Sequence, residues 1–196
     1  MLFRSLRAAH GEYVLFLNAD DFLVSPDTLA RAMQGLAPRS PDNPDLIVGN
    51  VSMGRPGSRG VWRHRHVPRM LRRIRGSGLY PPHQGMFAKR VLLESVGGFD
   101  ARLRFAADIN QYYDLERQFR PSIRLIESDV AFMRAGGAAN SGLRAVYRGS
   151  MEIYRHLLPT HGVARSIAMV AVKSLQSICE VRYGTLSDRR WFTQQC

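Results

Sequence analysis

Cysteine, lysine and long apolar runs are all scarce in this sequence of 196 residues. The two cysteines, Cys179 and Cys196, are too few for a disulfide framework or a cysteine-built zinc site, so we expect a reducing, cytoplasmic compartment. No run of about 18 apolar residues occurs, so no ordinary transmembrane helix is expected. The N-terminal segment also lacks the long apolar stretch and small-residue cleavage site of a signal peptide.

Positive charge is abundant, and it comes almost entirely from arginine. The chain has 28 Lys+Arg, of which only Lys89 and Lys173 are lysines, against 16 Asp+Glu, for a net charge of +12. Eight of the arginines lie between Arg55 and Arg75, where there is no acid, and removing that segment leaves +4 on the other 175 residues. Such a local basic patch suits nucleic acid, anionic lipid or the phosphates of a small ligand.

Apolar runs typical of buried strands alternate with segments of helical periodicity, which predicts an α/β architecture. The predicted strands are 12–17, 46–48, a segment at 85–88, and one or two strands within 123–133. Helices are predicted from Ser25-Pro26-Asp27 onward with Leu29, Met33 and Leu36 on one face, over 91–96 up to Gly97-Gly98, from Asp108, and through most of the last sixty residues. Residues 52–82 lack periodicity and are predicted to form a long loop.

The most informative motif is Asn18-Ala19-Asp20-Asp21, directly after the apolar run. Open α/β sheets bind ligands beyond the carboxyl ends of their strands. Two adjacent carboxylates repel each other unless a cation offsets their charge, and magnesium takes one or two carboxylates together with substrate phosphates. The doublet therefore suggests an Mg²⁺ or Mn²⁺ site that bridges a nucleotide diphosphate. Taken alone, such residues more often serve as turn and cap residues after a strand.

Asp108 is a second candidate, because it stands among apolar residues at the start of a predicted helix. Apolar surroundings would raise its pKa toward the working range of a general base. The structural alternative is a helix N-cap, a role that aspartate fills well.

His83 and Gln84 are the third candidate. They follow the stiff Tyr80-Pro81-Pro82 segment and precede a predicted strand. Two hydrogen-bonding side chains delivered by a rigid turn suit recognition of a polyhydroxyl ligand, although a surface histidine in a loop is an equally good interpretation of the pair alone.

In combination, these segments resemble the ordered landmarks of family 2 glycosyltransferases, the GT-A fold enzymes of bacterial cell-surface polysaccharide synthesis. The resemblance covers roughly residues 1–140 and rests on four segments, 11–21, 83–90, 97–100 and 106–108. It implies a partial GT-A fold with a mixed sheet flanked by helices in residues 1–140, including an arginine-rich loop at 55–82. A helical C-terminal extension would occupy 141–196.

The resemblance also implies roles for the candidate residues. Asn18, Asp20 and Asp21 would contact the nucleotide-sugar donor, with Asp20 and Asp21 as ligands of Mg²⁺ or Mn²⁺ and Asp21 as the direct ligand. Asp108 would be the base that deprotonates an acceptor hydroxyl for attack with inversion. His83 and Gln84 would lie between the donor and acceptor sugars, and Gly136-Gly137 would follow the last core strand.

The implied reaction moves a sugar from a nucleotide diphosphate to a saccharide or lipid-linked acceptor at the inner face of the cell membrane. In this family the first nucleotide-binding βαβ units precede the acidic motif, whereas here only 17 residues precede Asn18. We therefore expect the N-terminal nucleotide-binding part to be missing: the chain is a fragment, a degenerate remnant, or completed by another chain. The rival function is a catalytically inactive remnant that acts as a binding or assembly protein.

The arginine segment has three interpretations within this resemblance. Arg72, Arg73 and Arg75 would contact the phosphates of the donor or of a lipid-pyrophosphate acceptor, since arginine binds phosphate bidentately. The segment would otherwise rest on an anionic membrane surface, or be a solvated loop without a partner. Trp62 is the only tryptophan, tyrosine or phenylalanine between residues 55 and 75, so nucleic-acid binding by base stacking is poorly supported.

The C-terminal helical region carries an apolar face that we assign to Val163, Ile167, Val170 and Ser174, with Arg165 and Lys173 off that face. Core packing is the favoured role for this face, and docking on a membrane is the alternative.

Overall fold

The computed structural model describes residues 2–54, 61–63, 80–134 and 143–190. Its helices are α1 (Leu2–Ala8), α2 (Thr28–Met33), α3 (Arg90–Ser95), α4 (Ala107–Phe119) and α5 (Leu143–Arg190). Its strands are β1 (Tyr13–Val14), β2 (Phe22–Leu23), β3 (Leu46–Gly54), β4 (Val61–Arg63), β5 (Met86–Lys89) and β6 (Ile123–Arg134).

The strands form one mixed sheet in the order β1-β5-β3-β6-β2. Strand β4 pairs with the last residues of β3, whereas β5 pairs with its first residues. Only the β3–β6 pair is parallel; β1–β5, β5–β3, β3–β4 and β6–β2 are antiparallel. Helices lie on both faces, and the C-terminal region is helical. The predicted α/β class, with a mixed sheet flanked by helices, is therefore confirmed.

The central strand β3 explains how the two faces are covered. Its nine residues are all buried, and successive side chains of a strand point to opposite faces. Leu46 and Val48 belong to the larger core cluster, which includes residues of α3, α4 and α5. Ile47 belongs to a second cluster with Ala32 of α2. The strand predicted at 46–48 is therefore longer than expected and extends to Gly54.

Strand β6 has 12 residues against nine in its partner β3, and irregular register on both sides of Asn50 accommodates the difference. The side chain of Asn50 donates to the carbonyl of Glu127 at 3.2 Å, which satisfies a backbone acceptor where the ladder is interrupted. The segment predicted as one or two strands is a single bulged strand.

The first predicted strand is shorter than expected. The run 12–17 forms only the two-residue strand β1, which pairs with β5 on one side. Val14 and Phe16 are buried, whereas Tyr13 and Leu15 are half-buried and Leu17 is exposed. The expectation of burial on both faces is wrong because β1 lies at the edge of the described sheet.

The helix predicted from Ser25 begins at Thr28. Asp27 occupies the N-cap position without a side-chain capping bond, and its N–H donates to the Ser25 hydroxyl at 3.3 Å. The helix ends at Met33, so Leu36 lies outside it, and Leu29 is 49% exposed. The short turn at 25–27 explains the shift, because the serine caps the turn rather than the helix.

The predicted loop at 52–82 is also partly wrong. Ser52–Gly54 completes β3, and residues 61–63 form β4. The sequence did not predict these segments because a pattern two or three residues long is too short to indicate a strand. Residues 55–60 and 64–79, with most of the arginine segment, and Gly136-Gly137 lie outside the described residues.

The C-terminal helix α5 contains Gly162 in a non-helical conformation (φ 70°, ψ 174°) and Pro159 just before it. After this kink, Ser166 and Met169 are buried, whereas Val163 and Ile167 are exposed. The predicted core face, which lies entirely after Gly162, was misplaced by about one residue position because apolar side chains occur on both sides of the helix. Within the part of the chain described, no helix is long and apolar enough to cross a membrane.

Candidate functional site

The acidic motif forms a tight turn after β1. The N–H of Asp21 donates to the carbonyl of Asn18 at 3.1 Å, and the Asn18 side-chain amide donates to Asp21 Oδ2 at 2.9 Å. This local pairing is the turn role that the motif suggested as its structural alternative. It also fixes the direction of the Asp21 carboxylate.

Asp21 connects this turn to two distant segments. Its Oδ2 accepts from Nε2 of Gln84 at 3.1 Å, and its Oδ1 accepts from the backbone N–H of Arg134 at 3.2 Å. Gln84 is 3% exposed, and the same Nε2 contacts the Met133 sulfur at 3.1 Å. The carboxylate therefore joins the β1 turn to the end of β6 and to the segment before β5.

His83 and Gln84 lie on a single 3-10 turn, His83–Gly85. The turn packs closely on β3: a Cβ added at Gly85 would meet the Gly49 carbonyl oxygen at 2.7 Å and Val51 Cγ2 at 2.8 Å. Only glycine allows so close an approach of two backbones. The turn is thereby packed tightly against the sheet.

His83 contacts the second candidate, Asp108, directly, since its Nδ1 lies 2.7 Å from Oδ2 of Asp108. The side chains are 15% and 23% exposed. His83 Nε2 is buried and has no hydrogen-bond partner among the described residues. If Nδ1 carries the proton and donates to the carboxylate, the Nε2 lone pair faces the interior without a donor, which is a costly arrangement in the absence of a ligand.

Asp108 is not a helix N-cap. It lies in the first turn of α4, and Ala106 occupies the N-cap position. Burial alone would raise the pKa of Asp108, but the hydrogen bond and charge of His83, the Ile109 N–H and the positive charge of Lys173 together hold it below its ordinary value. The expected upward shift is therefore wrong, because apolar sequence neighbours do not reveal a cationic partner brought in by the fold.

Asp20 stands apart from this network. Its side chain is exposed, and the hydrogen bonds found among the described residues do not include its carboxylate. Among these residues there is also no group of three His, Cys, Asp or Glu side chains that could hold a metal ion. Asp20 and Asp21 are two adjacent carboxylates, the donor set that magnesium takes when substrate phosphates complete its shell. The residues fit such an ion only as part of a ligand complex.

The arrangement brings four sequence-predicted residues besides Asp108 into one connected site. Asn18, Asp21 and Gln84 are linked by hydrogen bonds, and His83, next to Gln84 in the chain, links them to Asp108. The predicted phosphate contacts Arg72, Arg73 and Arg75 lie outside the described residues.

Two residues of the site were missed. Glu152 of α5 accepts hydrogen bonds from the backbone N–H groups of Arg104, Phe105 and Ala106, just before α4. Lys173 places its Nζ 5.5 Å from the centre of the Tyr80 ring and lowers the pKa of Asp108. No local signal identifies either residue, because their partners are far away in the sequence.

No family model matches the chain. The chain is similar to glycosyltransferases: it is 34% identical over 109 residues to the PGL/p-HBAD biosynthesis glycosyltransferases of Mycobacterium bovis and Mycobacterium tuberculosis. That match covers 54% of this chain and 38% of each relative, so the chain spans well under half the length of these relatives.

Among solved structures, the chain is similar to the crystal structure of S. aureus TarS residues 1–349 in complex with UDP. The superposition has a TM-score of 0.45 and 14% identity, and it covers 94% of this chain and 50% of that chain.

Proposed function

We propose that this chain carries the catalytic part of a GT-A-type, family 2 inverting glycosyltransferase. It transfers a sugar from a nucleotide diphosphate donor to a saccharide or lipid-linked acceptor in bacterial cell-surface polysaccharide synthesis. The observation that supports the proposal is the connected network of Asn18, Asp21, Gln84, His83 and Asp108. The sequence similarity to glycosyltransferases points in the same direction.

The acidic end of the network is the donor side. Asp20 and Asp21 would hold Mg²⁺ or Mn²⁺, which supplies positive charge against the donor diphosphate. Asn18 and Gln84 keep the Asp21 carboxylate oriented, since both donate to its Oδ2. The exposed Asp20 is available to a ligand without rearrangement of the fold. Arg72, Arg73 and Arg75 are proposed as further phosphate contacts.

The His83–Asp108 pair is the acceptor side. The acceptor oxygen attacks the anomeric carbon, the bond from that carbon to the diphosphate oxygen breaks, and its electron pair leaves with the diphosphate. The hydroxyl proton passes to the Asp108 carboxylate, whose side chain is 23% exposed, and His83 Nδ1, 2.7 Å from Oδ2, holds that carboxylate in place. Asp108 is thus the base that the resemblance implies, and His83 orients it.

Donor binding is tested by calorimetry with UDP-, GDP- and dTDP-sugars in the presence of Mn²⁺. We expect heat with one of these donors, and we expect the heat to fall in Asp20→Asn because the proposed ion loses a carboxylate ligand. The fold should be unaffected, since that exposed carboxylate makes no contact among the described residues. Asp27→Asn, another exposed aspartate beside a short helix, is the matched control and should bind as the unmodified chain does.

Transfer itself is tested with Asp108→Asn and His83→Gln. Each should lower turnover by about 100-fold or more while donor binding is kept. A second histidine–aspartate pair provides matched controls: His156 Nε2 lies 3.1 Å from Asp114 Oδ1, with side chains similarly exposed at 26% and 25%. Asp114→Asn and His156→Gln should leave turnover unchanged. Full turnover of Asp108→Asn would show that Asp108 is not the base.

The alternative is a catalytically inactive remnant that acts as a binding or assembly protein. A folded chain that gives no heat with any of the three donors would favour this function over transfer.

A further inference from the structure

The outward face of α5 after its kink is apolar. The exposed side chains between residues 163 and 175 are all apolar except that of Arg165; they are Val163, Ala164, Ile167, Ala168, Ala171 and Leu175. Val163, Ile167 and Leu175 are 58%, 54% and 62% exposed. A helix on the surface of a globular protein normally turns polar residues outward, so this face has the opposite character.

This face is not the one that packs on the core. Ser166 and Met169, on the other side of the helix, are 0% and 3% exposed, and Met169 belongs to the main core cluster. The helix segment is therefore apolar on its solvent side as well as anchored on its inner side. We call the exposed set from Val163 to Leu175 the outer face.

A basic cavity borders the outer face. It has a volume of about 420 Å³ and lies between the end of α4 and the kink of α5. Three arginines and one histidine line it against one glutamate; they are Arg117, Arg120, Arg165, His161 and Glu116. Arg165 is also the charged residue at the edge of the outer face, so cavity and face form one continuous surface.

The charge of the surrounding helix has the same sign. Residues 144–175 contain five Lys or Arg and one acid, Glu152. The Glu152 carboxylate is engaged by three backbone N–H groups. An apolar face flanked by basic residues is the pattern of a helix that lies in a membrane interface. A second copy of the chain is a poorer occupant, since it would bring two basic cavities together.

We infer that the outer face and the adjoining basic cavity bind the surface of an anionic phospholipid bilayer. The apolar side chains enter the boundary between headgroups and acyl chains, and Arg120 and Arg165 bind lipid phosphates, as does Arg117, whose Nη2 also lies 3.6 Å from Asp114 Oδ1. None of its residues belongs to the arginine segment at 55–75. It does not depend on the proposed transfer reaction, so it can be tested without a donor or an acceptor.

The test is flotation of the full chain with two kinds of vesicle, one of phosphatidylcholine alone and one of equal parts phosphatidylcholine and phosphatidylglycerol. We expect binding to the anionic vesicles that weakens as salt is added. Ile167→Gln with Leu175→Gln should weaken it roughly tenfold or more, because both side chains lose apolar contact. Arg165→Gln should weaken it roughly fivefold, the factor for about 1 kcal/mol per basic residue at the surface.

Matched controls carry the same changes elsewhere. Val91→Gln alters an apolar side chain of α3 that is 59% exposed, and Arg31→Gln removes an exposed arginine of α2; both should bind as the unmodified chain does. Helical circular dichroism should be unchanged, since glutamine is a good helix former. Absence of binding by the folded chain overturns the inference, as does binding that Ile167→Gln with Leu175→Gln leaves intact. A dimer that this double variant dissociates, without vesicle binding, would assign the outer face to a second copy.

Discussion

The Glu152 carboxylate accepts a hydrogen bond from the backbone N–H of Ala106 at 3.0 Å, across 46 positions of sequence. The same carboxylate accepts from Phe105 at 2.8 Å and from Arg104 at 3.1 Å. These three N–H groups lie immediately before α4, whose first turn carries Asp108. The C-terminal helix therefore fixes the start of the helix that presents the candidate catalytic carboxylate.

Removal of this carboxylate should destabilise the fold. We expect Glu152→Ala to lower the free energy of unfolding by about 2 kcal/mol, because three N–H groups lose a charged acceptor and two of those bonds are partly buried. Urea unfolding followed by circular dichroism measures the change. Glu94→Ala removes an exposed partner of Arg90 and should cost no more than about 0.5 kcal/mol. Equal losses in the two variants would show that Glu152 does not support α4.

The close approach at Gly85 predicts a strong effect of one methyl group. In Gly85→Ala the new Cβ would meet the Gly49 carbonyl oxygen at 2.7 Å, which only a shift of the backbone can relieve. We expect a loss of about 1–3 kcal/mol in the free energy of unfolding. The control is Gly149→Ala, where the nearest atom is Phe105 Cβ at 3.4 Å.

In that control, helix propensity should dominate and stabilise the chain by about 0.5–1 kcal/mol. Differential scanning fluorimetry separates the two variants by the direction of the shift in Tm. A destabilised Gly149→Ala beside a neutral Gly85→Ala would contradict the packing of the 3-10 turn on β3.

The contact between Gln84 and Asp21 predicts sensitivity to charge. Gln84→Glu would place a second carboxylate beside Asp21 Oδ2 in a position that is 3% exposed, so we expect a loss of about 2 kcal/mol or more. Gln34→Glu, on an exposed helix end, should change stability by less than about 0.5 kcal/mol. Chemical denaturation at neutral pH compares them, and a tolerated Gln84→Glu would place Asp21 away from Gln84.

Asp45 predicts a dependence of stability on pH. Burial would raise its pKa, but the Ser122 N–H and hydroxyl and the Lys89 ammonium hold it below its ordinary value. The carboxylate therefore stabilises the folded chain above the unfolded pKa of about 3.9, and this contribution disappears as the pH falls through the lower folded-state value.

The free energy of unfolding of the unmodified chain should therefore exceed that of Asp45→Asn at pH 7, and the difference should disappear as the pH falls below the unfolded pKa of about 3.9 and through the lower folded-state pKa. Urea titrations at several pH values measure the difference. Asp42→Asn, an exposed neighbour, serves as the control and should show no such convergence. A difference that grows as the pH falls would reverse the assigned direction.

Much of the candidate site can be predicted from local sequence. Asn18 and Asp21 follow the apolar run that contains β1, and polar residues in such a position lie near a strand end in an open α/β sheet. The stiff prolines before His83 likewise predict a rigid turn. These inferences need only the few residues around each position, and the structure brings Asn18, Asp21, His83, Gln84 and Asp108 together as one network.

Other features depend on partners that local patterns do not contain. The lowered pKa of Asp108 arises from His83, 25 positions away, and the start of α4 is held by Glu152 rather than by a local cap. The buried face of α5 differs from the predicted one because the helix after Gly162 carries apolar side chains on both sides, Val163 and Ile167 outside and Met169 inside. Periodicity alone does not identify which of two apolar sides faces the core.

The sequence by itself determined the alternation of strands and helices, the carboxylates at a strand end and the excess of arginine, because each follows from residue type and short spacing. Only the tertiary structure decided which side chain each carboxylate contacts and which side of α5 faces outward. Those outcomes depend on how separate elements pack against one another, and packing is set by contacts among residues distant in the chain.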